Sequence, residues 1–528
     1  MSILSGFRQM DFLEQITLLN EVSGSRDSAT LPDLLDLFEN PTGDTGVDYM
    51  VVGALNSVLG ANEFVVIEGL ASPKLNFRTL CIRAAGEYAF ADAAEPLAMM
   101  ADEEQDLDRL LEILAALAKI RPAGGERVFR RFLGHEDSMI AALAMEMCGI
   151  YGDQQALPFL RAAVEATDGE RTMEHCDITT WKAIDALAAM ATQDTIAFLA
   201  ASVHHKNPTA RRIITDALVR LGEPAIPHLE PLYASGTTDQ RILACNIVGF
   251  IGSRKGVDGL VTSFDKGLFG DPNVRYAAFE ALGRMGTLKG LICLVDGLSE
   301  NDELILMAVV TGLERHVAPG VLKTISEKIA AGDERGRRIA HAVIASKALR
   351  LFQELYKNEA VAALLLEPLR ASHDHELLEA FADRLKEIGG ERALADAASL
   401  PKAQAGTRKA LAADDSKSML ALYRNILTDL GFEPLIASNG EEAYAFVEAG
   451  EFADVVITDM NMPVMDGMEL VGRLRASMGY EDVPILMVTT ESESSQRALA
   501  GKTGVTDFLT KPFKPEALKA KLTELLGL

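Results

Sequence analysis

The sequence predicts two architectures in one chain: an all-α solenoid over residues 1–399 and, after a connector at 400–407, an α/β unit over 408–528 built on a doubly wound, five-stranded parallel sheet. Three observations predict this. Up to about residue 398, apolar stripes recur as helix pairs with a period of roughly 30 to 35 residues. Beyond Leu400, short β-prone runs alternate with helical ones. Composition agrees, because 48% of residues are hydrophobic while only 6% are aromatic, and small to medium side chains pack helix against helix more readily than they fill a sandwich or barrel.

Charge excludes several function classes before any motif is read. A formal charge of −26 repels phosphate backbones, and no Lys/Arg stripe with interleaved aromatics overrides it, so no nucleic acid partner is expected. No apolar run approaches the roughly 18 residues of a membrane span. Membrane insertion is therefore not expected, and the cytoplasm is the expected location. Cys81, Cys148, Cys176, Cys245 and Cys293 lie far apart without a CxxC pair, as buried small hydrophobes in a reducing compartment would.

Within the solenoid, Asn207-Pro208-Thr209-Ala210-Arg211 and Asp271-Pro272-Asn273-Val274-Arg275 both open with a capping residue and a proline suited to the first helical turn. Ile213, Ile214, Ala217, Leu218 and Leu221 form one apolar stripe that Gly222 ends, and Ile226, Leu229 and Leu232 mark the second helix of that unit. Neither helix buries its face alone, so neighbouring units must stack. Arg211, Arg241 and Arg275 recur by repeat position and predict ion pairs along the solenoid. Trp181 reads as a large core residue. His204-His205 and His373-Asp374-His375 lack companions at ligand spacing, so no metal is expected there. The stretches 78–86 and 275–283 resemble the inner parts of HEAT repeats. That resemblance implies an array of about ten to twelve units acting as a docking module for a protein partner.

Pro401-Lys402-Ala403-Gln404-Ala405-Gly406 reads as a linker. The β-prone runs are 409–413, 434–437, 454–458, 484–489 and 506–510, with helices beginning near Ser416, Asn439, Gly467, Ser494 and Pro515. The first run, Ala410-Leu411-Ala412-Ala413, is poor in β-branched residues for a buried strand, and its assignment rests on the acids that follow. In such sheets ligands bind off the carboxyl ends of the strands. Asp414 and Asp415 close the first strand, Asp459 closes the third, and Lys511 follows the fifth. Clustered acids repel one another unless a cation intervenes, and a hard, oxygen-rich site suits Mg²⁺.

The motifs Asp414-Asp415-Ser416, Thr458-Asp459-Met460-Asn461-Met462-Pro463, Met465-Asp466-Gly467, Val488-Thr489 and Thr510-Lys511-Pro512-Phe513 fall in order at strand ends. Residues 408–528 thereby resemble response-regulator receivers of the single-domain chemotaxis (CheY-like) type, with a flavodoxin-like fold. The resemblance implies that Asp459 accepts a phosphoryl group from a histidine kinase. It further implies that Asp415, Asp459 and the backbone carbonyl of Asn461 hold Mg²⁺ directly, that Asp414 acts through water, and that Lys511 contacts the phosphoryl oxygens. Thr489 and Phe508 correspond to the switch residues, and the face spanning roughly 494–521 to the partner surface. Pro512 matches a position where the preceding peptide is often cis. Two departures stand out. Thr490 replaces a small residue and narrows access to the site, and Phe508 lacks the hydroxyl of the usual tyrosine. Met460, Met462, Met465 and Met468 read as packing.

The expected function is a two-component phosphorelay protein, not an enzyme beyond phosphorylation and dephosphorylation of its own Asp459. Without a helix-turn-helix, cyclase or hydrolase signature, its output is expected through protein contacts. Alternatives are a scaffold whose receiver is a phosphate sink, and a bilin-lyase-like HEAT enzyme.

Overall fold

The computed structural model describes residues 3–166, 176–372, 374–401, 408–489, 504–511 and 513–527. The chain divides into two compact units, one made of residues 1–166 and 177–190 and the other containing 191–528. Among the described residues no single helix is long and apolar enough to cross a membrane.

In the first unit, helices starting at Thr45, Leu75, Leu107 and Ser138 fall 30, 32 and 31 residues apart, the predicted period. Asp44, Asp106 and Asp137 cap three of these helices by accepting backbone N–H bonds in the first turn. The helices Ser138–Tyr151 and Ile178–Met190 approach closely at Gly149, where a Cβ would stand 2.4 Å from the Ala186 Cα, so only glycine permits that crossing. Trp181 departs from the expected core position. Thr180, Ala183, Ile184 and Leu187 take the inward stripe of its helix, which turns Trp181 outward, 49% exposed and with the Lys182 ammonium 6.0 Å from its ring centre.

The second unit continues the repeat through α1 (Pro208–Leu221), α2 (Thr238–Ile251), α3 (Pro272–Met285) and α4 (Glu303–Arg315). Asn207 and Asp271 cap α1 and α3 as the sequence implies, and Gly222 ends α1 at φ 71°. The helix expected over Ile226 to Leu232 is broken into a 3₁₀ turn, Glu223–Ala225, and two single turns, Ile226–Leu229 and Leu232–Ser235. Pro224, Pro227 and Pro231 account for the break, since each removes an N–H and crowds the preceding turn.

The recurrent arginines divide. Arg211 donates to the His205 carbonyl at 3.1 Å, and Arg241 to the Gly236 carbonyl at 3.0 Å and the Ala234 carbonyl at 2.9 Å, whereas Arg275 forms the expected ion pair, with Glu300. A guanidinium with five donors satisfies several loop carbonyls at once. All five cysteines are free, three of them buried, and burial pushes the Cys81 and Cys148 thiols up to about 12.

The same unit ends in a parallel sheet of order β2-β1-β3-β4-β5, with β1 Arg408–Ala413, β2 Phe432–Ala437, β3 Val455–Asp459, β4 Ile485–Thr489 and β5 Asp507–Thr510. Helices α5 (Lys417–Asp429), α6 (Gly440–Glu448), α7 (Gly467–Arg475) and α8 (Pro515–Leu526) cover its faces. Ala410 and Ala412 face the layer of Tyr423 and Leu518, while Leu411 joins Val456, Met460 and Leu470 on the other side. β1 is buried on both faces without β-branched residues; its alanines leave room for aromatic and long aliphatic side chains from the helices. The helix expected near Ser494 lies outside the described residues.

Candidate functional site

Strand order reverses at β1, whose neighbours are β2 and β3, and a crevice opens there beyond the carboxyl ends of the strands. Asp414 and Asp415 follow β1, and Asp459 is the last residue of β3, so three carboxylates converge with one oxygen from each within 4.8 Å of the others. The Lys511 ammonium lies 3.0 Å from Asp414 Oδ2 and 3.1 Å from Asp459 Oδ1. Asp414 is fully buried. The Tyr423 hydroxyl donates to its Oδ2 at 3.1 Å and the Ser416 N–H to its Oδ1 at 3.0 Å.

Three carboxylates against one ammonium leave excess negative charge in a buried place. Burial and the neighbouring Asp414 push Asp415 up to about 8. Burial pushes Asp459 up to about 6, opposed by Lys511 and by the Asn461 N–H that hydrogen-bonds to it. Burial works against the Lys511 charge too, yet Asp414 and Asp459 outweigh it and hold the ammonium protonated. A hard divalent cation would cancel this excess, and the donor set, all oxygen, fits Mg²⁺.

The Met465-Asp466-Gly467 motif supports the site from behind. Asp466 accepts the Met468 and Glu469 N–H bonds at 2.9 Å each and so starts α7. A Cβ on Gly467 would fall 2.1 Å from the Asp459 carbonyl oxygen, so this position closes against the end of β3 only as glycine. Met460, Met462 and Met465 are buried, as the packing reading expects. Thr489 ends β4, buried, with its hydroxyl 3.7 Å from the Met460 sulfur. Phe508 sits opposite Met487 in the β4–β5 register and packs half-buried against the core layer that holds Met460. Asp414, Asp415, Asp459 and Lys511 are thus brought together, with Thr489 at the adjacent strand end and Phe508 farther along β5. Thr490, Pro512 and 494–503 of the expected partner face lie outside the described residues.

Sequence reasoning missed the residues that the array adds. Along one face of α3 stand Tyr276, Glu280 and Arg284. The Ser416 hydroxyl donates to Glu280 Oε1 at 3.0 Å, and Tyr276 also bonds to Ser416. The same hydroxyl accepts the Met419 N–H at 3.2 Å, and the Tyr276 phenol also lies 3.4 Å from Glu280 Oε1, so Tyr276, Ser416 and Glu280 form one hydrogen-bonded cluster. Arg284 holds Glu280 at 3.3 Å. From α1, Arg211 reaches Asn461 Oδ1 at 3.3 Å, and Arg212 reaches Glu469 at 3.2 Å and Asp466 at 3.5 Å. Between α1, α2 and the crevice lies a cavity of about 180 Å³ bordered by Arg211, Arg212, Asn246, Phe250, Asp415 and Asn461. Nothing local in the sequence marks these contacts.

Comparison with known proteins covers this sheet. Residues 410–523 match the response regulator receiver domain family. The chemotaxis protein CheY homolog of Campylobacter jejuni is 45% identical over 120 residues, covering 22% of this chain and 92% of that protein. CheY1 of Helicobacter pylori is 41% identical over 120 residues, covering 22% of this chain and 97% of that protein. Among solved structures, Vibrio cholerae CheY4 shares 40% identity, with 22% of this chain and 98% of that one covered and a TM-score of 0.22. With the acids, the lysine and the parallel sheet already in place, the family match and the Campylobacter relative assign the chain, through residues 410–523, to the response regulator receiver family.

Proposed function

We propose that this protein is a two-component signalling protein whose receiver accepts a phosphoryl group on Asp459 from a phosphohistidine of a histidine kinase. The observation that carries this reading is the convergence of three carboxylates within 4.8 Å under a lysine that bridges two of them. An Asp459 oxygen attacks the phosphorus, the phosphorus–nitrogen bond breaks, and the imidazole leaves with the electron pair and takes up a proton. Asp415, Asp459 and the Asn461 backbone carbonyl would hold Mg²⁺, with Asp414 acting through water. When bound, the ion would neutralise charge on the transferring group, which is most of what phosphoryl transfer asks of a site. Lys511, now paired with Asp414 and Asp459, would take a phosphoryl oxygen in exchange for one carboxylate.

The added group brings negative charge and new acceptor oxygens, and Thr489 supplies a hydroxyl donor one strand away. Thr489 and Phe508 act as the switch, and the face over 494–521 changes its affinity for a protein partner. The helical array, with its HEAT-like repeats, docks a second protein partner, and the 79% and 71% exposure of Tyr49 and Phe64 supplies apolar contacts for it. Intact-mass measurement after incubation with phosphoramidate and Mg²⁺ tests the reading. The wild-type chain gains the mass of one phosphoryl group and Asp459→Asn does not; labelling of Asp459→Asn places the acceptor elsewhere.

A further inference from the structure

The face of the receiver from which a phosphodonor must approach Asp459 is already occupied by this chain's own array. Helix α3 holds the loop after β1 through Tyr276, Glu280 and Ser416. Helix α1 holds the loop after β3 and the start of α7 through Arg211 on Asn461 and Arg212 on Asp466 and Glu469. Helix α4 adds Thr311, 3.5 Å from Ser418, and Glu376 pairs with Arg424 on α5. The Asp459 side chain is left 9% exposed.

In-line attack puts the leaving nitrogen on the far side of phosphorus from the Asp459 oxygen, and the loops flanking that oxygen, after β1 and β3, are the ones α3 and α1 hold. Beside Asp415 and Asn461, α1 and α2 border a cavity of about 180 Å³, several times the roughly 30 Å³ share of one water. It has room for a phosphoryl group on a small carrier and none for the surface of a second protein. The contacts that close this face combine hydrogen bonds and ion pairs with packing of Tyr276 and Leu304 against the receiver layer that holds Met419 and Leu420, and the polar ones are individually weak enough to part.

We propose that the array selects the class of phosphodonor. With α1 and α3 seated, the receiver takes a phosphoryl group from a low-molecular-weight phosphoramidate or acyl phosphate. A protein-borne phosphohistidine gains access only when the array lets go, because array and donor protein compete for the same surface. The inference rests on the phosphoacceptor reading of Asp459 and adds to it a docking surface whose resident partner is the array.

The test uses the full chain with a staple, Thr311→Cys with Ser418→Cys, across a contact outside the acidic site, and a loosened variant, Thr311→Arg with Glu376→Arg, at array contacts that also lie outside it. Each is treated, with Mg²⁺, with free phosphohistidine and with phosphorylated poly-histidine as a bulky carrier of the same group. Free phosphohistidine is expected to label stapled, reduced and loosened chains at rates within about threefold of one another. The carrier is expected to label the loosened chain at least about tenfold faster than the stapled one, since access scales with the open fraction, and reduction of the staple restores the wild-type rate. Equal carrier rates in stapled and loosened chains overturn the proposal, as does a staple that blocks the free donor equally. Labelling of no form by free phosphohistidine, or labelling of Asp459→Asn, refutes the phosphoacceptor reading itself and the inference with it.

Discussion

Removing the negative charge of Asp459 is expected to stabilise the metal-free receiver. Its carboxyl is raised from 3.8 to about 6, which corresponds to about 3 kcal/mol of penalty on the ionised form relative to the unfolded chain. Asp459→Asn keeps an oxygen in place, leaves Lys511 its 3.0 Å partner Asp414, and releases up to that amount. The sign follows from proton binding. Between about pH 4 and pH 6 the folded chain holds a proton on Asp459 that the unfolded chain has lost, so wild-type stability falls as pH rises through this window. The advantage of Asp459→Asn therefore grows from nothing near pH 4 to about 1–3 kcal/mol at pH 8 in a chelator. Mg²⁺ narrows it, because the ion binds the folded wild-type site. Hydrogen exchange of the β3 amides, Val455–Asp459, isolates the receiver from the array and reads this free energy directly. A variant with weaker β3 protection than wild type at pH 8 without metal would refute the reasoning, since it would mean that the acidic cluster is not charge-frustrated.

Three further outcomes follow from the same geometry. Lys511→Met is expected to slow labelling by phosphoramidate about 10²- to 10³-fold, the usual cost of deleting one charge-stabilising donor; a rate within twofold of wild type would remove Lys511 from the chemistry. Gly467→Ala forces a Cβ toward the Asp459 carbonyl oxygen, 2.1 Å away, and is expected to lower β3 protection by about 1–3 kcal/mol while slowing labelling. Gly149→Ala drives a Cβ to 2.4 Å from the Ala186 Cα and is expected to destabilise the first unit by about 1–3 kcal/mol, read as faster exchange over 138–151 with labelling of Asp459 unchanged.

Much of the fold was legible because its signals are local. Strand ends fall within two residues of the alternating pattern, and the period of the array follows from repeated caps and stripes. β1 was legible only through Asp414 and Asp415, since Ala410, Ala412 and Ala413 carry no strand preference of their own and are held by burial on both faces. Trp181 was misplaced because size alone says nothing about which face of a helix a residue takes; the inward stripe of Thr180, Ala183, Ile184 and Leu187 decides it. Arg275 pairs with an acid as expected, whereas the loop carbonyls that Arg211 and Arg241 reach are groups every residue possesses and no sequence displays.

The acidic site and its cover differ in the same respect. Asp414, Asp459 and Lys511 are fixed by where strands stop, so residue type and order suffice to assemble them. The cover depends on pairs such as Arg211 with Asn461, 250 positions apart, and Glu280 with Ser416, 136 apart. Ser416 joins the two levels. Its backbone N–H steadies Asp414 and its side chain caps α5 through Met419. Its hydroxyl proton, spent on Glu280, ties that same turn to α3. The loop after β1 at the phosphoacceptor site is therefore tied to the array at Ser416, with Ser418 adding contacts to Glu280 on α3 and Thr311 on α4.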